Sequence, residues 1–161
     1  MRITLRARTA ETVAIYFEKA QQPVIRRMLP QKAQNVEQAL ADFAKTQLPS
    51  ATSYGRTIYA DERYVGDIWI YGIDRNDTPN AMLSYCLFEP ELWGKGIVTE
   101  AVRLFLKEVR DRFALETIGA FSYEENIASI RVLEKNCFVL AEVLTEEGVL
   151  SHYYQRNTCS E

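Results

Sequence analysis

The stretch FEPELWGKGIVTEAVRLFLKEVRDRF, from Phe88 to Phe113, decides the fold of this chain. A strand pattern ends at a proline, a glycine-containing turn follows, and an amphipathic helix begins at Ile97. Gly96 precedes this helix, where serine, threonine, aspartate or asparagine would cap it better. The first N–H groups of a helix lack intrahelical partners and carry partial positive charge, so the turn predicts an anion site.

Two glycines and a lysine form this turn. Gly94 and Gly96 would let the backbone approach a phosphate without a Cβ in the way, and Lys95 would add a charged donor. The alternative is an ordinary turn that binds nothing. The segment contains neither GxxxxGK[ST] nor GxGxxG, so it predicts neither a Walker loop nor a Rossmann dinucleotide site.

The composition predicts a single compact domain over residues 1–161. Of these residues, 47% are hydrophobic and 25% are charged, as in ordinary globular chains. The net charge is −3 and no long basic run occurs, so we expect no nucleic-acid partner. The N-terminus does not resemble a signal peptide, and no apolar stretch is long enough to span a bilayer. We therefore expect a cytoplasmic protein with no membrane partner.

The cysteines and the histidine do not predict a metal site. Cys86, Cys137 and Cys159 lack CxxC spacing, and His152 is the only histidine. We interpret the cysteines as reduced thiols in a cytoplasmic protein and His152 as a strand residue.

Hydrophobic periodicity predicts a mixed α/β (α+β) domain with the element order βα(α)βββαβαββ. The apolar strand Ala81–Phe88 is expected to be central in the sheet. Thr9 is a weak helix cap, because Thr12 stands where a capping box would have Glu or Gln. On the Ile97 helix, Glu108 is expected to pair with Arg112. Strands are predicted at 3–8, 54–60, 64–73, 81–88, 117–121, 137–144 and 149–155, and helices after Thr9, after Pro30 as far as Leu48, from Ile97, and over 126–136.

A second informative stretch is NIASIRVLEKNCF, from Asn126 to Phe138. Asn126 can cap a helix, and Ser129 would occupy the third helical position. Taken alone, this pattern is also explained by an ordinary capped helix with a Leu/Phe core.

Together, PELWGKGIVTEA and NIASIRVLEKNCF resemble the GNAT superfamily of N-acetyltransferases, and most of all its RimJ/RimL-like branch. The resemblance extends from about Val65 to Val143 and is weak over the first third of the chain. It implies a mostly antiparallel central sheet with helices on both faces. It also implies acetyl-CoA as co-substrate, no metal, an amine-bearing acceptor, and a monomer or homodimer.

The resemblance also implies roles for individual residues. Ser129 would lie near the sulfur of coenzyme A, and Asn126 would bind the pantetheine arm. The strand around Cys86, Leu87 and Phe88 would pair its backbone with that arm, and one of its N–H groups would polarise the thioester carbonyl. The pyrophosphate would be held by Gly94, Lys95, Gly96, Ile97 and Val98.

Two positions depart from the family pattern. Leu133 stands where many of these enzymes have a tyrosine that protonates the leaving thiolate, and in the RimJ/RimL-like branch the serine matching Ser129 is the proposed donor. Cys137 stands where the pattern has glycine, so Asn136 is expected to end the helix in left-handed geometry.

The resemblance implies direct attack of a neutral amine on the thioester, which requires a base to deprotonate the ammonium. Glu62, Asp67 and Glu89 are the candidates, and Glu89 is favoured because it lies beside the glycine turn. Tyr85 and Tyr123 are alternative relays. The sequence therefore predicts an acetyl-CoA-dependent N-acetyltransferase for a protein N-terminus or a small amine, with a non-catalytic CoA-binding or sensing module as the alternative. A plain structural domain, in which the glycine turn binds nothing, is a third hypothesis.

Overall fold

The computed structural model describes residues 1–158, so the predicted free thiol of Cys159 lies outside the described residues. Within this range the chain forms seven β-strands and five α-helices. The strands are β1 (Ile3–Ala7), β2 (Tyr54–Ala60), β3 (Arg63–Asp74), β4 (Asn80–Leu87), β5 (Thr117–Tyr123), β6 (Val139–Glu146) and β7 (Val149–Asn157). The helices are α1 (Ala10–Lys19), α2 (Pro23–Met28), α3 (Val36–Thr46), α4 (Ile97–Phe113) and α5 (Ile127–Lys135), with a 3-10 turn at Pro90–Leu92.

The strands form one sheet in the order β1-β2-β3-β4-β5-β7-β6. Every neighbouring pair is antiparallel except β4 and β5, which are parallel. β4 is the middle strand, as its continuous apolar run predicts. The predicted mixed, mostly antiparallel sheet is therefore confirmed.

The two parallel strands separate soon after they meet. They pair only over Asn80–Met82 and Thr117–Gly119, although β4 continues to Leu87 and β5 to Tyr123. The Phe88 N–H donates to the Val65 carbonyl on β3 at 3.0 Å, so by alternation the backbone groups of Tyr85 and Leu87 point toward the side that β5 has left. The sheet thus contains a wedge-shaped gap with strand backbone along one wall.

Helices cover both faces of the sheet, as predicted. On one face, the apolar stripe of α4 buries Ala101, Phe105 and Val109 in the main core, and Leu133 of α5 joins them. On the other face, Ala20 and Ile25, at the end of α1 and in α2, pack with the β4-side residues Cys86 and Phe88. The two cores leave the gap between β4 and β5 accessible from its open end.

Two local predictions were wrong and one helix was missed. The Thr9 cap is a complete capping box, because the Thr12 hydroxyl accepts the Thr9 N–H at 2.9 Å and thereby replaces the expected carboxylate or amide. The helix α2 was not predicted. Glu108 binds Arg56 on β2, with Nε 2.9 Å from Oε1, and not Arg112 in the next helical turn.

The end of α5 also differs from the prediction. Asn136 has φ of −99°, and the left-handed residue is Cys137, with φ of 66°. Asn136 is instead buried, and its Nδ2 donates to the carbonyls of Thr99 at 3.2 Å and Val132 at 3.0 Å. Its side chain therefore ties the end of α5 to the first turn of α4.

Candidate functional site

A cavity of about 590 Å³ opens where β4 and β5 separate. Its walls come from β4 and β5, the glycine turn with the start of α4, the exposed face of α5, and α2 with the residues after it. Of the residues predicted for the cofactor site, the cavity is lined by Cys86, Leu87, Gly94, Gly96, Ile97, Val98, Asn126 and Ser129. Phe88, Glu89 and Lys95 are not among the lining residues.

The glycine turn leaves the start of α4 uncapped. Gly94 and Gly96 have φ of 77° and 83°, a left-handed geometry that side chains other than glycine rarely adopt. A Cβ added at either position would meet no atom within 4 Å, so open space, and not crowding within the protein, surrounds both. No described side chain caps the helix, and its first intrahelical bond runs from the Glu100 N–H to the Gly96 carbonyl at 3.2 Å. The preceding N–H groups are thus available to an anion.

The structure narrows the part of β4 that can bind a ligand through its backbone. The Phe88 N–H is engaged with Val65, and its carbonyl accepts from Gln22 Nε2 at 2.8 Å. Pairing of Phe88 with a pantetheine arm is therefore not supported, because both of its backbone groups are already used. The Leu87 carbonyl accepts the Trp93 indole N–H at 2.9 Å, which leaves the Leu87 N–H and the Tyr85 backbone facing the gap.

Asn126 and Ser129 on the opposite wall form a hydrogen-bonded cluster with the side chain of Tyr85, which reaches them from β4. Asn126 Oδ1 accepts the Ser129 N–H at 3.2 Å, so its amide nitrogen is the group left to bind a ligand. Ser129 Oγ lies 2.7 Å from the Tyr85 hydroxyl, and either atom can donate. Burial raises the pKa of Tyr85, so this hydroxyl is a neutral donor at physiological pH.

The three predicted base candidates lie outside the cavity lining. Burial raises the pKa of Asp67, while the neighbouring Arg8 opposes that shift. The assignment of Glu89 as base stays a prediction, and its ion pair with an arginine argues against it. Each candidate carboxylate has an arginine partner: Glu62 with Arg6 at 2.6 Å, Asp67 with Arg8 at 3.1 Å, and Glu89 with Arg63 at 3.2 Å.

Charged residues that the sequence analysis missed also line the cavity. Arg131 and Lys135 are four residues apart on one face of α5, near the α4 start that Asn136 contacts. Glu146, at the end of β6, is the only carboxylate among the described residues that line the cavity. The spacing on α5 could have suggested the basic pair, whereas the position of Glu146 depends on how the β6–β7 hairpin folds over the site.

Within residues 1–158, no three His, Cys, Asp or Glu side chains are grouped so that they could hold a metal ion. None of the helices in the same range has the length and apolar character needed to cross a membrane.

Comparisons with solved structures show a shared fold. Spermidine N-acetyltransferase from Vibrio cholerae, in complex with CoA and spermine, superposes with a TM-score of 0.85 at 16% identity, covering 97% of this chain and 95% of that one. RimL, a ribosomal L7/L12 alpha-N-protein acetyltransferase in complex with coenzyme A, gives 0.79 at 18% identity, covering 96% and 93%. The aminoglycoside acetyltransferase AAC(6')-Ib in complex with coenzyme A gives 0.78 at 17% identity, covering 97% and 95%.

Sequence comparisons identify the family. "Probable N-acetyltransferase YjcK" from Bacillus subtilis is 35% identical over 85 residues, which is 53% of this chain and only 46% of that relative. The family profile described as "Acetyltransferase (GNAT) domain" matches residues 2–139. That match includes the diverging strands, the uncapped helix start and α5, so the resemblance carried by the two motifs is confirmed: this chain belongs to the GNAT acetyltransferase family.

Proposed function

We propose that this protein is an acetyl-CoA-dependent N-acetyltransferase that transfers an acetyl group to a primary amine by direct attack. The observation that carries the proposal is that two unpartnered backbone regions face one cavity. The uncapped, glycine-led start of α4 and the unpaired backbone of β4 open onto the same 590 Å³ cavity. A ligand with a phosphate group at one end and an extended amide-bearing arm would satisfy both.

The residues present fit coenzyme A from its phosphates to its thiol. The N–H groups of Ile97 and Val98, together with Gly96, would hold the pyrophosphate at the positive end of the α4 dipole. Arg131 and Lys135 would add positive charge at the same end of the cavity. The backbone of Tyr85 and Leu87 and the Asn126 amide would bind the pantetheine arm from its two sides.

Acetyl-CoA would supply the activated acetyl group, and the protein would control charge and protons around it. A β4 N–H directed into the gap would polarise the thioester carbonyl, as an oxyanion-hole donor does. The Ser129 hydroxyl, bonded to Tyr85 at 2.7 Å, would donate the proton that the leaving thiolate needs. The attacking amine must first lose its own proton, for which the cavity offers Glu146 directly or water leading to it.

The acceptor is inferred to be a cationic molecule with a primary amine. Glu146 lies at the turn end of the β6–β7 hairpin, where the Glu124 N–H donates to the Leu150 carbonyl at 3.0 Å shortly before α5 begins, so an ammonium would be attracted to that end of the cavity. The structural neighbours are named for aminoglycosides, spermidine and a ribosomal protein N-terminus, all of which are amines. A polyamine, an aminoglycoside and a protein N-terminus are therefore the first acceptors to test.

The first test measures cofactor binding with matched variants. Acetyl-CoA at ~100 times its Kd should stabilise the fold by about 2.7 kcal/mol, visible as a higher unfolding midpoint. Gly96→Glu should abolish this shift, because a carboxylate would occupy the phosphate position. Gly148→Glu is the control, since Gly148 has φ of 80° and open space like Gly96 but lies in the β6–β7 turn.

The second measurement is CoA release with each acceptor in turn. Turnover with any of these amines supports the enzyme. A cofactor-dependent shift without turnover across a broad amine panel would favour the non-catalytic CoA-binding module. No shift at all, in either wild type or Gly148→Glu, would overturn the proposed function.

A further inference from the structure

A second cleft, of about 440 Å³, lies at the other end of α4. It is bounded by the ends of β1 and α4, the start of β2 and the segment between α3 and β2. The 17 residues of α4 span about 25 Å at 1.5 Å per residue, and they separate Ile97 in the cofactor cavity from Phe113 in this cleft. None of the described residues lines both sites, so the cleft is distinct from the proposed active site.

Four arginines line the cleft, and no aspartate or glutamate is among its described lining residues. Two of these arginines are already neutralised: Arg8 lies 3.1 Å from Asp67, and Arg56 binds Glu108 through Nε at 2.9 Å. The other two, Arg75 and Arg112, have aromatic contacts but no acidic partner among the described residues. Within residues 1–158, the cleft therefore has two positive charges that are not ion-paired.

Both guanidinium groups lie beside the same aromatic ring. The Arg112 guanidinium lies 4.6 Å from the Tyr54 ring centroid, and Arg75 and Arg112 each lie 5.7 Å from the centroid of Phe113. Stacking on a ring restrains the plane of a guanidinium and leaves its N–H fork free at the edge. Both arginines line one cleft with no carboxylate among its described lining residues, so an anion bound there would be attracted by both charges.

We propose that this cleft binds a small oxyanion carrying at least two negative charges, such as a diphosphate or a polycarboxylate. Arg75 and Arg112 would be the charged donors, and restrained side chains of this kind lose little freedom on binding. Gln47 and Ser53 line the same cleft and can complete the hydrogen bonding, since the Gln47 amide keeps one N–H beyond its 2.9 Å bond to Thr46 Oγ1 and Ser53 has a hydroxyl. The cleft volume exceeds that of a simple ion, which favours a molecule with two separated anionic groups.

The test uses protein saturated with CoA, so that added anions do not report on the phosphate site at the start of α4. Inorganic pyrophosphate and citrate are titrated separately at constant ionic strength, with acetate as the monovalent control. We expect one or both multivalent anions to raise the unfolding midpoint and to bind by calorimetry, and the comparison distinguishes phosphate from carboxylate chemistry. Arg75→Gln and Arg112→Gln should each weaken binding roughly tenfold or more, as expected for loss of a charge-assisted hydrogen bond.

Arg110→Gln is the matched control, because Arg110 is in the same last turn of α4 but does not line the cleft. Each variant must keep the CoA-induced shift, which shows that it is folded. Arg75 lies in an exposed turn, so Arg75→Gln remains informative even if loss of the Arg112 stacking lowers stability. The proposal is overturned if neither anion binds the wild type, or if Arg75→Gln and Arg112→Gln bind as well as Arg110→Gln.

Discussion

Leu133 occupies the position at which many proteins of this family have a tyrosine acid, and it is fully buried in the core. The proton donor must therefore come from elsewhere, and the Ser129 hydroxyl with its 2.7 Å contact to Tyr85 is the arrangement available. Burial raises the pKa of Tyr85, so this residue holds its proton and orients the serine.

We expect Ser129→Ala to reduce kcat by about 100-fold, the low end for loss of a general acid. Tyr85→Phe should have a smaller effect, since it removes only the partner of the donor. Neither substitution should change the CoA-induced rise in the unfolding midpoint, because both leave the proposed phosphate contacts at the start of α4 intact. Steady-state kinetics and thermal unfolding measure the two effects, and an unchanged kcat in Ser129→Ala would exclude this serine as the donor.

Cys86 lines the cofactor cavity, yet we expect it to be unreactive. Burial raises the pKa of its thiol to about 12. Four pH units below that pKa, at pH 8, only about one molecule in 10⁴ has the nucleophilic thiolate. Iodoacetamide at pH 8 should therefore modify the exposed Cys137 and spare Cys86, as measured by peptide mass spectrometry of the folded protein.

The buried Cys86 thiol makes folding stability depend on pH in a definite direction. Because its pKa is higher in the folded state, burial of the neutral thiol favours folding below pH ~8.5, and this contribution is lost as pH rises toward 12. Modification of Cys86 should accordingly increase with alkaline pH. Equal labelling of Cys86 and Cys137 at pH 8 would contradict the expectation.

Among the elements, α4 and α5 both end at a left-handed residue that is not glycine. Ala114 follows α4 with φ of 50°, and Cys137 follows α5 with φ of 66°. This geometry costs an L-residue roughly 1 kcal/mol that glycine avoids, although glycine also gains freedom in the unfolded chain. We expect Cys137→Gly and Ala114→Gly each to raise stability by about 0.5 kcal/mol, or Tm by about 1–2 °C.

The control for this prediction is Gln47→Gly after α3, where φ is −89° and glycine relieves no strain. That variant should be neutral or slightly destabilised. Scanning calorimetry of the three variants measures the differences. A loss of stability in Cys137→Gly as large as that in Gln47→Gly would show that the left-handed position is not strained.

Most elements were predictable from the sequence, because strand alternation and helical stripes reflect burial on one face. The apolar run of β4 correctly indicated a central strand. The helix α2 was missed because its six residues are too few to show helical periodicity and Gln22 makes no side-chain cap, although Pro23 at its first position is a start signal. Glu108 binds Arg56 because β2 presents a guanidinium beside it, and local spacing along α4 contains no information about that strand.

For the whole molecule, the sequence revealed the phosphate end of the proposed site and little of its acceptor end. The glycine turn and its helix are contiguous, so their geometry follows from a few adjacent residues. The Tyr85–Ser129 pair joins residues 44 positions apart, and Glu146 reaches the cavity only through the β6–β7 hairpin. Such contacts depend on how the elements are arranged in three dimensions.

The three residue pairs that join β4 to β5 have a mechanical consequence. They divide the sheet into two sub-sheets, β1-β2-β3-β4 and β5-β7-β6, which are hydrogen-bonded to each other over this short stretch. Coenzyme A bound in the gap would replace the inter-strand hydrogen bonds that β4 and β5 do not make there. The two sub-sheets of the free protein should therefore separate more often than those of the bound protein. Hydrogen–deuterium exchange should accordingly slow on CoA binding at amides of β5 and α5, far from the phosphates. Equal exchange in both states would mean that the short β4–β5 pairing alone already holds the two sub-sheets together.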